Sequence, residues 1–312
     1  GLTGRGKNRL VTKTNRTFSP EHLRFLSYIR AVGTGPKGNR PLTYDEAKDA
    51  LHLILQRLVP DTAISAFLLG WRVQGERDEE LQGCIDYLAE QLLPKCLEGV
   101  EIGYPMDGKA KFYPIMLHAA ALISDITFHA VYDLPLGPKY GESLDNFDIT
   151  APNLRLHNRR DLMPGISDLT KLRNDIGVRT AFNTIEKLNF LAPIALIGMH
   201  HAPYFDLYSS LYATYYRRLV IVQGHEGTPE ILKKTKYKIV ENGEITTHSV
   251  DPEMFGIEPI GAKEEMSLEA MHHLIRFPDE NLAKMVRLNA AFLGFAAGKY
   301  TSIEEGYACL QD

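Results

Sequence analysis

Three groups of cations in this chain lie close enough in sequence to act together on phosphate. The first is an arm with Arg5, Lys7, Arg9, Lys13 and Arg16; the second holds Arg155, His157, Arg159, Arg160, Lys171, Arg173 and Arg179; the third joins Arg217 and Arg218 to Lys233, Lys234, Lys236 and Lys238. Clusters of this kind neutralise phosphates without reading bases, and a solvated charged surface is the equally available alternative. The two adjacent histidine pairs, His200-His201 and His272-His273, are not metal pairs by themselves, because neighbours in sequence point to different sides of a helix or strand. Cys84, Cys96 and Cys309 are an odd number without C-x-x-C spacing, so they suggest neither a disulfide framework nor a zinc knuckle. No H-E-x-x-H, G-x-S-x-G or Walker A pattern is present.

The charge is segregated. Residues 1 to 40 carry nine Lys or Arg against the single acid Glu21, a segment of +8, while the whole chain is −4, which leaves −12 for the remainder. A basic arm on an acidic body suits phosphate, nucleic acid or an acidic neighbouring subunit. The 312 residues amount to about two units of ~150 residues each. A hydrophobic share of 44% and a charged share of 24% exclude a disordered chain. No stretch approaches the ~18 uninterrupted apolar residues of a spanning helix, and the first residues form no signal-like apolar run, so the expectation is a cytoplasmic protein with no membrane partner.

The elements that must position these groups begin with helices. Thr43 and Glu46 form a capping pattern, and Ala47, Ala50, Leu51, Ile54, Leu55 and Leu58 recur at helical spacing. A second helix is expected over Ala63 to Gln74, stopped by Gly75, and a third carries Leu81, Cys84, Ile85, Leu88 and Leu92. Beyond residue 100 short apolar runs alternate with helices, the texture of an α/β layer: Thr127 to Tyr132, Pro193 to Met199 and Leu219 to Gln223 read as strands. Tyr204 to Tyr216 reads as a helix with an aromatic stripe, better suited to core than to base stacking. Asn242-Gly243 between two β-prone runs predicts a hairpin, and three helices from Ser267, Asp279 and Ser302 close the chain. Residues 153 to 190 show helical faces with no intervening strand.

Four stretches then resemble the anthranilate phosphoribosyltransferase family, of the class that also includes pyrimidine nucleoside phosphorylases. They are Val59-Pro60-Asp61 through Arg72-Val73-Gln74-Gly75-Glu76; Gly103-Tyr104-Pro105-Met106-Asp107-Gly108-Lys109 running to Phe112 and Ala119-Ala120-Ala121; Leu172-Arg173 through Arg179-Thr180-Ala181-Phe182-Asn183; and Gly224-His225-Glu226-Gly227-Thr228-Pro229-Glu230-Ile231. The order and spacing agree over residues 43 to 298. The departures, with the opening Gly4-Arg5-Gly6-Lys7-Asn8, are most like a divergent branch, the YbiB-type glycosyl transferase-like proteins. The resemblance implies an N-terminal helical bundle domain, residues 1–98 with 158–190, and a larger α/β domain, residues 99–157 with 191–312. It also implies a homodimer paired through the helical domain.

In that family a G-T-G-G-D loop offers backbone N–H groups to the diphosphate of phosphoribosyl pyrophosphate, and its glycines let the chain approach the ligand. Here Tyr104, Pro105 and Met106 bring bulk and a residue without an N–H to that loop, and the polar N-I-S-T that follows in the family is Tyr113-Pro114-Ile115-Met116. The family's paired Asp-Glu, which holds Mg²⁺, becomes Pro229-Glu230, leaving Glu230 as the one carboxylate for that ion, the only cofactor implied, were the chain active. By resemblance the residues facing substrate are Arg173 for the acceptor, Lys139 for phosphate, and Asp107, Gly108 and Asn183. Taken singly, each has a structural role open to it: turn cap, helix arginine, loop lysine. Three readings follow: a divergent phosphoribosyl or glycosyl transferase taking a phosphorylated sugar; a non-catalytic nucleic-acid or regulatory binder using Arg5, Lys7, Arg9, Arg155, Arg159 and Arg160; or an enzyme for a non-diphosphate ligand in a more apolar cleft.

Overall fold

The computed structural model describes residues 18–92 and 97–311. Four helices come first: α1 (Pro20–Gly33), α2 (Tyr44–Leu55), α3 (Asp61–Gln74) and α4 (Asp78–Leu92). Helix α1, absent from the sequence expectation, starts where the Ser19 hydroxyl accepts the His22 N–H, and it buries Phe25, Tyr28, Ala31 and Val32 along one side. Helix α2 has the expected capping box: Thr43 accepts the Glu46 N–H and Glu46 accepts the Thr43 N–H. Gly75 ends α3 at φ 92°. Helix α1 packs on α3, and α2 on α4.

The rest of the chain supplies β1 (Val100–Gly103), α5 (Ile115–Ala120), β2 (Phe128–Tyr132), β3 (Leu154–Asn158), then the short helices α6 (Arg159–Leu162), α7 (Pro164–Ser167), α8 (Thr170–Ile176) and α9 (Phe182–Ile185). It continues through β4 (Ile194–Gly198), α10 (Pro203–Tyr212), β5 (Arg218–Val222), β6 (Thr235–Glu241), β7 (Glu244–Val250), α11 (Leu268–Arg276), α12 (Glu280–Ala296) and α13 (Ile303–Cys309). The strands form one seven-stranded sheet in the order β3-β2-β1-β4-β5-β6-β7. The first five are parallel and the last two close the edge as an antiparallel hairpin. Asn242 and Gly243 turn it at φ 52° and 75°, the left-handed pair that a two-residue hairpin needs. The expectation of no strand over residues 153 to 190 is corrected by β3, whose Arg155 and His157 hide the apolar signal on a partly exposed edge.

The pleat of the central strands separates two cores. Ala195, Ile197, Leu219 and Ile221 face one cluster that continues through α10 into Leu53, Ile64, Leu68 and Ile85 of the helical bundle. Ile194, Leu196, Val220 and Val222 face the other, filled by α5 and α12 through Leu117, Ala119, Met285, Leu288 and Phe292. Glu101 of β1 is buried; its carboxylate accepts the N–H groups of Asn189 and Leu191 and the Tyr216 hydroxyl, tying the strand to the segment before β4. Strand order reverses between β1 and β4, so the loops at the carboxyl ends of these parallel strands diverge there and leave the crevice in which open α/β sheets bind ligands.

Candidate functional site

The loop leaving β1 is folded against the chain that follows β2. The Gly108 N–H donates to the Pro105 carbonyl at 3.3 Å, the Gly141 N–H to the Asp107 carbonyl at 2.8 Å, and Lys109 exchanges backbone bonds with Glu142 at 2.9 and 2.7 Å. Gly108 is required at this crossing: its φ is 86°, and a Cβ there would stand 2.5 Å from the Gly141 carbonyl carbon. Behind the loop, Lys109 is 1% exposed and its ammonium pairs with Glu230, itself 1% exposed, with Glu226 at 3.4 Å. Glu230 also accepts the Tyr104 hydroxyl at 3.0 Å, the Thr228 hydroxyl at 2.9 Å and the Met116 N–H at 3.3 Å. Glu226 accepts the Ala110 and Lys111 N–H groups at 2.7 and 3.0 Å and pairs with Lys139 at 2.5 Å. Burial pushes the Glu226 carboxyl up, but the Lys109 and Lys139 ammonium groups outweigh it and hold it at about 2.

These residues do not fit a magnesium ion. The ion needs several oxygen ligands in near-octahedral array, whereas both Glu230 oxygens already accept donors and an ammonium lies where a cation would have to sit. Among the described residues, no group of three His, Cys, Asp or Glu is arranged to hold a metal.

Arg173 is placed differently from the acceptor-binding arm that the resemblance implies. Its guanidinium is buried and grips Glu186 with both prongs, at 2.7 and 2.9 Å, while resting 5.3 Å from the Phe182 ring centre. Arg159 donates to the same Glu186 at 2.6 Å and to Asp133 at 2.7 Å, and Asp133 also accepts the Ser167 hydroxyl. Burial pushes the Glu186 carboxyl up, but Arg173 and Arg159 outweigh it and hold it at about 2. The fork of Arg173 is thus spent on knitting α6, α8 and α9 together. Asn183 accepts the Thr180 N–H at 3.0 Å and lies 3.4 Å from Arg173.

Beside this network, at the carboxyl end of β4, is a cavity of about 360 Å³ lined by Arg72, Arg179, Asn183, Lys187, His200, His201, Tyr204 and Tyr208, among others. Arg179 donates to Asp107 Oδ2 at 2.8 Å, and the other Asp107 oxygen is buried with no hydrogen-bond partner among the described residues. Burial pushes the Lys187 ammonium down to about 8, with Asp107 opposing. Loss of solvation lowers His200, helped by Lys187, Lys139 and Arg179. Two guanidiniums, an amine and two imidazoles around aromatic walls favour an anionic ligand with a flat apolar part.

The structure brings Asp107, Gly108, Lys139 and Glu230 to one edge of the sheet, with Asn183 in the neighbouring cavity. Of the cations in the predicted phosphate-binding clusters, Arg159 and Arg173 are withdrawn into the interior, while Lys171, Lys233, Lys234 and Lys236 are exposed. Arg159 is 1% exposed and locked between two carboxylates, which corrects its assignment to an exposed cluster; Arg160 is exposed but pairs with Asp168 at 3.0 Å, and Arg155 is exposed at the sheet edge. Arg218 pairs with Glu241 and Lys238 with Asp206. Arg5, Lys7 and Arg9 lie outside the described residues. Lys109 and Glu226 enter the sequence only as letters of longer motifs; their roles arise from a contact across 121 positions to Glu230 and from the loop crossing. Lys187 and Glu186 carry no local signal beyond following the Asn183 motif. On the bundle, Leu69 and Val73 of α3 remain exposed beside a groove of about 860 Å³. No helix among the described residues is long and apolar enough to cross a membrane.

Comparison with known proteins agrees with this architecture. Residues 26–91 match the helical bundle domain of the glycosyl transferase family, and residues 156–312 match its a/b domain. A protein of Aquifex aeolicus, itself described only as uncharacterized, is 27% identical, with 85% of this chain and 91% of that protein covered. The anthranilate phosphoribosyltransferase of Saccharolobus islandicus is 24% identical, with 85% of each covered. Among solved structures, anthranilate phosphoribosyltransferase from Thermus thermophilus superposes with a TM-score of 0.69 at 18% identity, covering 92% of this chain and 93% of that one. The enzyme from Saccharomyces cerevisiae in complex with PRPP and Mg superposes with a TM-score of 0.71 at 16% identity, covering 92% of each. With a helical bundle and an α/β domain of matching fold, this chain belongs to the glycosyl transferase family and has the architecture of the anthranilate phosphoribosyltransferases.

Proposed function

We propose that this chain is a divergent phosphoribosyltransferase-like protein that takes an anionic small molecule at the carboxyl edge of its sheet without a magnesium–diphosphate grip. On this reading it is not a working anthranilate phosphoribosyltransferase. The observation that carries the proposal is the Lys109 ammonium lodged against Glu230 and Glu226, where it neutralises the carboxylates that would otherwise attract a divalent ion. The Tyr104 hydroxyl on Glu230 supports it, since the side chain fills space behind a loop whose Pro105 has no N–H to offer. So does the adjoining cavity, whose cations suit a carboxylate or a phosphorylated sugar held by guanidinium and ammonium groups alone. Pairing of two copies through the helical domain belongs to the same reading, supported by the exposed Leu69 and Val73.

The test is calorimetric titration of the whole protein with phosphoribosyl pyrophosphate, with and without magnesium, beside an assay for pyrophosphate release on adding anthranilate. The expected outcome is no magnesium-dependent binding and no pyrophosphate release, while ribose 5-phosphate binds equally with and without the metal. Anthranilate-dependent release, or heat that appears only with magnesium, overturns the proposal.

A further inference from the structure

Glu226 is surrounded in a way that a glutamate on a loop does not require. Two successive N–H groups, from Ala110 and Lys111, converge on its carboxylate, together with the Lys139 ammonium at 2.5 Å and that of Lys109 at 3.4 Å. Paired main-chain amides flanked by lysines are the donor set that proteins build for phosphoryl oxygens. Here a side chain of the same chain fills the seat, and it is 3% exposed. To reach it, Glu226 adopts φ 59° and ψ 25°, followed by Gly227 at φ 70°. That left-handed backbone favours glycine, and it persists at a glutamate because the carboxylate is so well met.

We propose that the Glu226 side chain is an internal anion occupying a phosphate seat formed by the Ala110 and Lys111 amides with Lys109 and Lys139, and that it holds this seat closed to phosphate esters. The charges explain the fit. Lys109 and Lys139 balance Glu226 and Glu230, so a phosphoryl group entering beside Glu226 would meet a neutral cluster whose donors are already taken, and one entering in its place would meet the donors it needs and one unbalanced ammonium. This inference rests on the reading above that the chain does not use a magnesium–diphosphate grip, and it names what occupies the space instead.

Removing Glu226 does not leave a buried charge stranded. Lys109 keeps Glu230, and Lys139, 16% exposed, reaches solvent. Glu226→Gly also suits the local backbone. In magnesium-free buffer with a chelator, inorganic pyrophosphate is titrated calorimetrically into the wild-type chain, Glu226→Gly, Glu226→Gln and the double variant Glu226→Gly with Lys139→Met. The wild type is expected to show only the weak binding of the neighbouring cavity, Glu226→Gly to bind at least about tenfold more tightly, and the added Lys139→Met to remove most of that gain. Glu226→Gln, nearly isosteric and neutral, gives a smaller gain with the same sign and serves if the glycine variant does not fold. A folded Glu226→Gln or Glu226→Gly chain with no gain, or a gain indifferent to Lys139→Met, overturns the inference. Magnesium-dependent binding of phosphoribosyl pyrophosphate by the wild type strikes instead at the function proposed above, so the two failures are distinguishable.

Discussion

Arg173→Met is expected to destabilise the fold rather than merely blunt a binding site. The substitution deletes the two-pronged bond to Glu186 at 2.7 and 2.9 Å and the stacking on Phe182, in surroundings where Arg173 and Glu186 are 3% and 4% exposed. Breaking a buried ion pair costs ~3–5 kcal/mol because it strands the partner charge. Glu186 retains Arg159 at 2.6 Å, and methionine keeps apolar contact with Phe182, so the lower end applies, about 3 kcal/mol. For a chain of 312 residues that corresponds to a fall in Tm of roughly 4–5 °C. Calorimetric melting of wild type and variant reads this directly. Arg160→Met is the control: its exposed pair with Asp168 is worth no more than about 1 kcal/mol. An Arg173→Met chain that melts within about 2 °C of wild type would refute the assignment of this arginine to the framework and return it to the ligand.

Two dependences on pH follow from the same geometry. Glu226 and Glu186 are both held at about 2 against an ordinary 4.5, so the unfolded chain takes up their protons first. Their stabilisation is complete above the ordinary carboxylate range and is lost as pH falls from 4.5 towards 2, by at most about 3 kcal/mol each. Urea midpoints measured down that range should fall steeply in the wild type and less steeply in Glu226→Gln; parallel curves would contradict the pairing. Lys187, pushed down to about 8, is mostly an ammonium near pH 7 and mostly a neutral amine near pH 9, beside the cavity an anion would enter. Ribose 5-phosphate should therefore bind about tenfold more weakly near pH 9 than near pH 7, and an affinity indifferent to pH would show that Lys187 does not face the ligand.

The parts of this fold that sequence reveals are those whose signal is local. Thr43 with Glu46, and Asn242 with Gly243, announce a helix start and a hairpin because each pair meets its own neighbours. Strand β1 escapes because it is four residues long and carries Glu101, a charged side chain whose partners lie at Asn189, Leu191 and Tyr216. Strand β3 escapes because Arg155 and His157 interrupt its apolar pattern. Helix α1 is open to detection, with Ser19 as cap, Pro20 in the first turn and Phe25, Tyr28 and Val32 at helical spacing. At the site, motif resemblance locates the loops, but nothing in them says that Arg173 and Arg159 would close on Glu186, or that Lys109 would turn inward to Glu230. Such pairings depend on where distant segments meet, and a charged letter reads the same whether it faces solvent or a buried counter-charge.

The apolar cluster that runs from Ile64 and Leu68 of the bundle to Ile197 and Ile221 of the sheet has a mechanical consequence. A rigid-body swing of the bundle away from the sheet would tear that contact and bring its apolar side chains into water. For the same reason the bundle is no detachable module: severed from the strands, either half would carry a raw greasy face into water.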